Sequence, residues 1–115
     1  MSASIPALKW LRIAAYGSFH DIPRSIVALD RDFVLWLFDC PFEDALDDYG
    51  EEYGVYRIGT NTMDAKRALQ ARSAMDALPA EAYVGKVPVE NVEFDATRRH
   101  MMFVHTRRFV PPPAR

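Results

Sequence analysis

Residues 25–38 read Ser-Ile-Val-Ala-Leu-Asp-Arg-Asp-Phe-Val-Leu-Trp-Leu-Phe, which is two apolar runs separated by a short charged stretch. β-Branched and aromatic residues are typical of strands, and a charged turn between two such runs predicts an antiparallel hairpin. The second run, residues 33–38, does not alternate with polar residues, so a strand built from it needs apolar cover on both faces. We therefore place residues 33–38 at the centre of a sheet.

Short strands account for much of the remaining chain. They are predicted at residues 8–16, 53–58, 83–89, 92–94 and 100–106. Residues 17–23 are expected to form a loop, because Gly17-Ser18 interrupts the first strand and Pro23 follows. Pro88 indicates that its strand lies at a sheet edge or contains a bulge. In the last strand, Met101, Phe103 and His105 share one side, which we expect to face the core.

Two segments have helical spacing. Residues 64–78 carry an apolar stripe and end before Pro79, which predicts the main helix. Apolar residues at positions 42, 45, 46 and 49 predict a short acidic helix at about residues 42–48. The fold class is therefore α+β, with a small, strongly curved and mainly antiparallel sheet of about six strands, barrel-like or rolled. We expect one domain over residues 1–115, with loosely ordered tails at residues 1–7 and 109–115.

Composition limits the class of protein, the partners and the cellular compartment that we expect. It has 115 residues, of which 50% are hydrophobic and 26% charged, and this is typical of a globular protein. We expect no contact with a membrane, because the longest apolar stretch is residues 33–38 and the N-terminus does not resemble a signal peptide. The net charge of -2 makes nucleic acid an improbable partner. A single cysteine, Cys40, excludes an intrachain disulfide and favours the cytoplasm.

The most unusual feature is the acidic segment, which we define as residues 39–52. Its seven acids are Asp39, Glu43, Asp44, Asp47, Asp48, Glu51 and Glu52. One interpretation is a solvated face that aids solubility, and another is a docking surface for a basic protein. A calcium or magnesium site has less support, because the spacing of acids does not match an EF-hand loop, so no metal is predicted.

Candidate catalytic residues lie mainly near the C-terminus. Five arginines and no acid follow Ala96. If the protein is an enzyme, His20, His100, Arg98 and Arg99 are the candidates for proton transfer and for stabilising a phosphorane. Cys40 is expected to be a buried core thiol rather than a nucleophile, because its neighbours in sequence are acidic. No motif predicts a nucleotide, a zinc ion or another cofactor.

These features favour a small non-catalytic domain of bacterial or phage type that binds another protein. The acidic segment would dock a basic surface, as an inhibitor or an immunity- or antitoxin-type protein does. One alternative is a metal-independent RNase or toxin-like enzyme that uses His and Arg residues. Another is a structural homodimer, in which the acidic segment of one copy meets the basic C-terminal residues of the other.

A first prediction tests the central strand. If Trp36 lies in a strand covered on both faces, Trp36→Ala should lower the free energy of unfolding by about 3–5 kcal/mol. Urea denaturation or thermal melting measures the change. A melting temperature lowered by only one or two degrees would mean that Trp36 is exposed and that the sheet assignment is wrong.

Overall fold

A strongly curled antiparallel sheet dominates this computed structural model, which describes residues 10–20, 22–40, 42–43, 45, 47–70, 78–97 and 100–105. The sheet contains β1 (Trp10–His20), β2 (Ile22–Leu29), β3 (Leu35–Asp39), β6 (Glu52–Gly59), β7 (Tyr83–Pro88), β8 (Val92–Phe94) and β9 (Met101–Val104). A separate hairpin pairs β4 (Phe42–Glu43) with β5 (Asp48–Tyr49), and α1 spans Thr62–Gln70. The predicted α+β class with a curled antiparallel sheet is confirmed, with seven strands instead of about six.

The order of the strands explains the curl. The sheet runs β7-β6-β3-β2-β1-β9-β8, so its two edges are β7 and β8. These edges are consecutive in the chain, because only a 3₁₀ turn at Val89–Asn91 separates them. A link of three residues spans at most about 14 Å between strand ends. The two edges must therefore approach each other at this corner, and the sheet becomes a half-barrel.

Backbone hydrogen bonds fix the turn that links the two edges. The amide of Val89 donates to the carbonyl of Glu51 at 2.9 Å, next to the start of β6. On the other side, the amide of His105 donates to the carbonyl of Asn91 at 2.8 Å, just after β9. The turn is thus tied to the second strand from each edge.

The sheet has a core on each face. The inner core takes side chains from all seven strands: Leu11, Ile13, Ile26, Ala28, Trp36, Phe38, Tyr53, Val55, Val87, Val92, Met102 and Val104. Because both sheet edges contribute to this one cluster, it fills the concave face. The outer core is smaller, and there Val27, Leu35 and Leu37 pack against Ala65 and Ala68 of α1.

The central position of the apolar run is confirmed for residues 35–38, whereas Phe33 belongs to the preceding turn and is 71% exposed. β3 lies between β2 and β6, and its apolar side chains alternate between the two cores. Trp36 and Phe38 point inward, whereas Leu35 and Leu37 point toward α1. Trp36 is only 4% exposed. Cover on both faces explains why this part of the sequence does not alternate with polar residues.

The charged turn between β2 and β3 is present, and its first acid is buried. Asp30 is 7% exposed. Its carboxylate accepts hydrogen bonds from the amides of Asp32 at 2.8 Å and Val34 at 3.0 Å, and from Nε1 of Trp36 at 2.8 Å. One side chain therefore closes the turn and also satisfies the buried indole of the central strand.

The prediction of an acidic helix at residues 42–48 is wrong. The described residues of this range belong to the β4–β5 hairpin, in which Phe42 pairs with Tyr49 and Glu43 with Asp48. Asp47 turns the chain with a φ of 51°, in the left-handed region that Asp tolerates. Glu43 and Asp47 are four residues apart, so in a helix their like charges would be neighbours and would repel. A helix of two turns is too short to offset that cost.

Two further details of the sheet differ from expectation. Residues 17–23 do not form a loop, since β1 continues to His20 and Gly17 pairs with Ser25 of β2. Cross-strand pairing overrides the local preference of a Gly-Ser pair. The prediction that Met101, Phe103 and His105 of β9 face the core is wrong. Met102 and Val104 face it instead, with 0% and 1% exposure.

The helix begins close to its predicted position. α1 starts at Thr62, and Oδ1 of Asn61 caps it by accepting from the amide of Met63 at 2.9 Å. The predicted end of this helix involves residues 71–77, which lie outside the described residues, as do the predicted tails. In the part of the chain that is described, no helix has the length and apolar character needed to cross a membrane.

A second prediction tests the Asp30 turn. Asp30→Ala should lower the free energy of unfolding by about 3 kcal/mol, because it leaves a buried indole N–H and two turn amides without their acceptor. Asp32→Ala is the matched control, since Asp32 is exposed and its replacement should cost less than about 0.5 kcal/mol. Urea denaturation measures both. Equal losses in the two variants would contradict the role of Asp30.

Candidate functional site

The structure places the acidic segment at one end of the sheet. Asp39 ends β3, and Glu52 begins the neighbouring antiparallel strand β6, so the β4–β5 hairpin projects from the same end. Asp47, Glu51 and Glu52 are exposed. Asp44 lies outside the described residues. Glu43 and Asp48 are directly opposite each other in the hairpin.

One acid of this segment has a different environment from the exposed ones. Asp39 stands in register between Ser25 of β2 and Gly54 of β6. The same row continues to Gly17 on β1 and to Lys86 on β7. Directly opposite residues share one face of a sheet, so this row lies on the outer face, as do the Leu35 and Leu37 side chains of β3. Asp39 thus lies in the middle of the row, with a small residue, Ser25 or Gly54, on each side.

Two tyrosines line the row on one side. A Cβ atom placed on Gly54 would lie 3.3 Å from Cε1 of Tyr56 and 3.6 Å from its hydroxyl. Because Gly54 has no side chain, the Tyr56 ring can lie over it. Gly54 is the residue of β6 that pairs with Asp39. Tyr56 also contacts Tyr83, with ring centroids 5.3 Å apart. We call the half-buried set of Ser25, Asp39, Gly54, Tyr56 and Tyr83 the Asp39 trough.

The carboxylate of the trough is half-buried. Burial raises the pKa of Asp39, and within the described residues no hydrogen bond or ion pair to this carboxylate is present. Burial also raises the pKa of the Tyr56 hydroxyl, and the charge of Asp39 raises it further. Lys86, at the end of the row, instead forms an ion pair with Glu52, with Nζ and Oε1 3.2 Å apart. In the part of the chain that the structure describes, Asp39 is therefore a half-buried acid without a cationic partner.

The two candidate histidines lie far apart on the sheet. The carbonyl of His100 accepts from the amide of Ile13 at 2.7 Å, which places His100 beside the first half of β1. His20 follows Ile13 by seven residues along the same strand, a distance of roughly 23 Å. Arg98 and Arg99 lie outside the described residues. The two histidines belong to opposite ends of the sheet.

The acid beside His100 has a structural role. Asp95 accepts hydrogen bonds from Oγ1 of Thr97 at 2.6 Å and from the amides of Met101 at 3.1 Å and His100 at 3.0 Å. These bonds hold the pKa of the Asp95 carboxyl well below its usual range. The carboxylate organises the turn before β9, while the His100 side chain projects into solvent.

Cys40 is buried, as its sequence context predicts. It is 1% exposed and belongs to the inner core. Its thiol donates to the carbonyl of Gly50 at 3.2 Å, and Nη1 of Arg24 lies 3.6 Å from Sγ. These contacts join the end of β3 to the residues before β6, at the base of the acidic segment.

Sequence reasoning missed an aromatic patch on the outer face of the sheet. The rings of Trp10 and Phe103 are 4.7 Å apart, and His105 lies 4.7 Å from Phe103 on the other side. Trp10 is 57% exposed, and Met101 is exposed beside it. Alternation along β9 carried the signal, but both sides of that strand are apolar and the inward side was assigned incorrectly.

The chain matches no protein-family model, no curated protein and no solved structure. Within the described residues, no group of three or more His, Cys, Asp or Glu residues is placed to hold a metal ion.

A third prediction follows from the raised pKa of Asp39. The folded state binds this proton more tightly than the unfolded state, so the burial cost is absent below the ordinary Asp pKa of 3.8. Stability is lost as the pH rises through the folded-state value. Asp39→Asn should therefore unfold at a higher urea concentration than the wild type at pH 7, and this difference should shrink toward pH 3.5.

The control for this prediction is Asp47→Asn. It removes the same charge from an exposed position where Asn also tolerates a positive φ. Its stability relative to the wild type should change little with pH. A gain for Asp39→Asn that is the same at both pH values would contradict the assignment, because the gain would then not come from ionisation.

Proposed function

We propose that this chain is a non-catalytic protein-binding domain that docks a basic partner through its acidic segment, as an inhibitor or an immunity- or antitoxin-type protein does. The observation that carries this proposal is the register of the β4–β5 hairpin, in which Glu43 stands opposite Asp48. Like charges directly opposite in a sheet destabilise the pairing. A chain that keeps such a pair next to exposed Asp47, Glu51 and Glu52 maintains a concentrated negative charge at a cost in stability.

Placement of these charges supports docking. Glu43, Asp47 and Asp48 belong to the β4–β5 hairpin, and Glu51 and Glu52 lie where β6 begins, so all five are at the same end of the sheet. A local negative field of this kind accelerates the encounter with a basic surface and disfavours acidic partners. Cys40, as the sole cysteine, suits the reducing environment of the cytoplasm, which is the compartment we propose. The RNase alternative stays a prediction, since Arg98 and Arg99 lie outside the described residues.

A fourth prediction tests the docking surface. Replacing Asp47, Asp48, Glu51 and Glu52 with Asn or Gln should leave the fold intact and stabilise it slightly, because repulsion is relieved. Binding to the partner captured by the wild-type protein should weaken through a slower association rate, and its dependence on salt should become flatter. Stopped-flow or surface-based kinetics at several salt concentrations measure both effects.

The matched control removes four exposed acids elsewhere, namely Asp32, Glu81, Glu90 and Glu93. If both quadruple variants slow association equally, net charge alone is responsible and the acidic segment is not a docking surface. Unchanged binding by the first variant would mean that the segment is only a solvated face. Divalent ions that raise the melting temperature of the wild type but not of the variant would indicate a metal site instead.

A further inference from the structure

Asp39 has the properties of a receptor for a cation. Its carboxylate is half-buried, carries a pKa raised by burial alone, and has no hydrogen-bond or ion-pair partner within the described residues. A charge withdrawn from water without compensation is unfavourable, and proteins usually pair it. Lys86 of the same row is held by Glu52 instead. Among the described residues, Asp39 therefore has no cationic partner.

The shape of the trough limits the group that fits. Asp39 is flanked in register by Ser25 and Gly54, so its neighbours across the sheet are small. The ring of Tyr56 lies over Gly54, and Tyr83 extends this aromatic surface at a centroid distance of 5.3 Å. The Tyr56 hydroxyl is close enough to Asp39 for the charge of the carboxylate to raise its pKa. The site therefore offers one aromatic surface and one acceptor with two oxygens.

We propose that the Asp39 trough binds the guanidinium group of an arginine side chain on the basic partner, an inference that rests on the proposed function. A guanidinium is planar, donates two parallel hydrogen bonds to a carboxylate and stacks on aromatic rings. A lysine ammonium is compact and more strongly hydrated, so it uses the ring surface less well. An anion is repelled by Asp39, and a single carboxylate is too few ligands for a metal ion. The acidic segment steers the partner, and the trough receives its arginine.

N-Acetyl-arginine amide is the probe, because it tests the trough without the partner. Titration of the full chain, followed by NMR at the Gly54 amide and the Tyr56 ring protons, should give saturable shifts. The citrulline derivative has the same shape without the charge and should bind at least tenfold more weakly. The corresponding lysine derivative should also bind more weakly than arginine. Equal affinity for arginine and citrulline, or for arginine and lysine, would overturn the proposal.

Two variants locate the binding. Asp39→Asn should lose the arginine-induced shifts while becoming more stable at neutral pH, so the loss cannot be attributed to unfolding. Asp32→Asn removes the same charge from an exposed position at the other end of β3 and should bind the probe like the wild type. Tyr56→Leu removes one ring and should weaken binding, whereas Tyr56→Phe keeps the ring and should retain it. Undiminished binding by Asp39→Asn, or equal losses in Asp39→Asn and Asp32→Asn, would overturn the assignment.

The titration also separates the two proposals. If the probe binds the trough but neutralising residues 47, 48, 51 and 52 leaves partner binding unchanged, the trough stands and the docking function of the segment falls. If neutralisation slows partner association but the probe does not bind, the docking function stands and the arginine site falls.

Discussion

The direct succession of β7 and β8 in the chain constrains the whole molecule. These strands are the opposite edges of a seven-stranded sheet, yet only Val89–Asn91 separates them. The sheet must therefore curl, and the curl creates a concave face that all seven strands fill with apolar side chains. The convex face then needs its own cover over the central strands, which α1 supplies. Two cores follow from one short connection. The edges themselves are unsuited to further pairing, since β7 ends in Pro88 and β8 has three residues.

Sequence reasoning succeeded where a single physical requirement determines the residues. Residues 35–38 are apolar at each position because this part of β3 faces a core on both sides, and Pro88 fits only a strand with a free edge. Sequence reasoning failed where one pattern of residues fits two different structures. The aromatic residues Phe42 and Tyr49 fit a helical stripe, but they also fit opposite positions of a hairpin, and only the pairing decides. In β9 both alternating sets are apolar, so the side that faces the core depends on the register with β1.

The candidate site could also be predicted only in part from the sequence. The sequence identifies seven acids within residues 39–52 but presents them as equivalent. Only the cross-strand register places Asp39 between Ser25 and Gly54, and only tertiary packing brings Tyr56 over that position. The site combines residues from β2, β3, β6 and β7, which are far apart in the chain.

The pairing of β1 with β9 has a consequence for the order of folding. β1, β2 and β3 are successive hairpin strands whose contacts are local, whereas Trp10 pairs with Phe103 near the other end of the described chain. Closing such a long loop costs more entropy than closing a hairpin, and distant pairings make folding slow. Until β9 arrives, the Trp10 side of β1 is an unpaired edge next to an exposed indole. The half-barrel therefore depends on its most distant contact, and a chain in which β1 and β9 have separated exposes a strand edge on which another chain can pair.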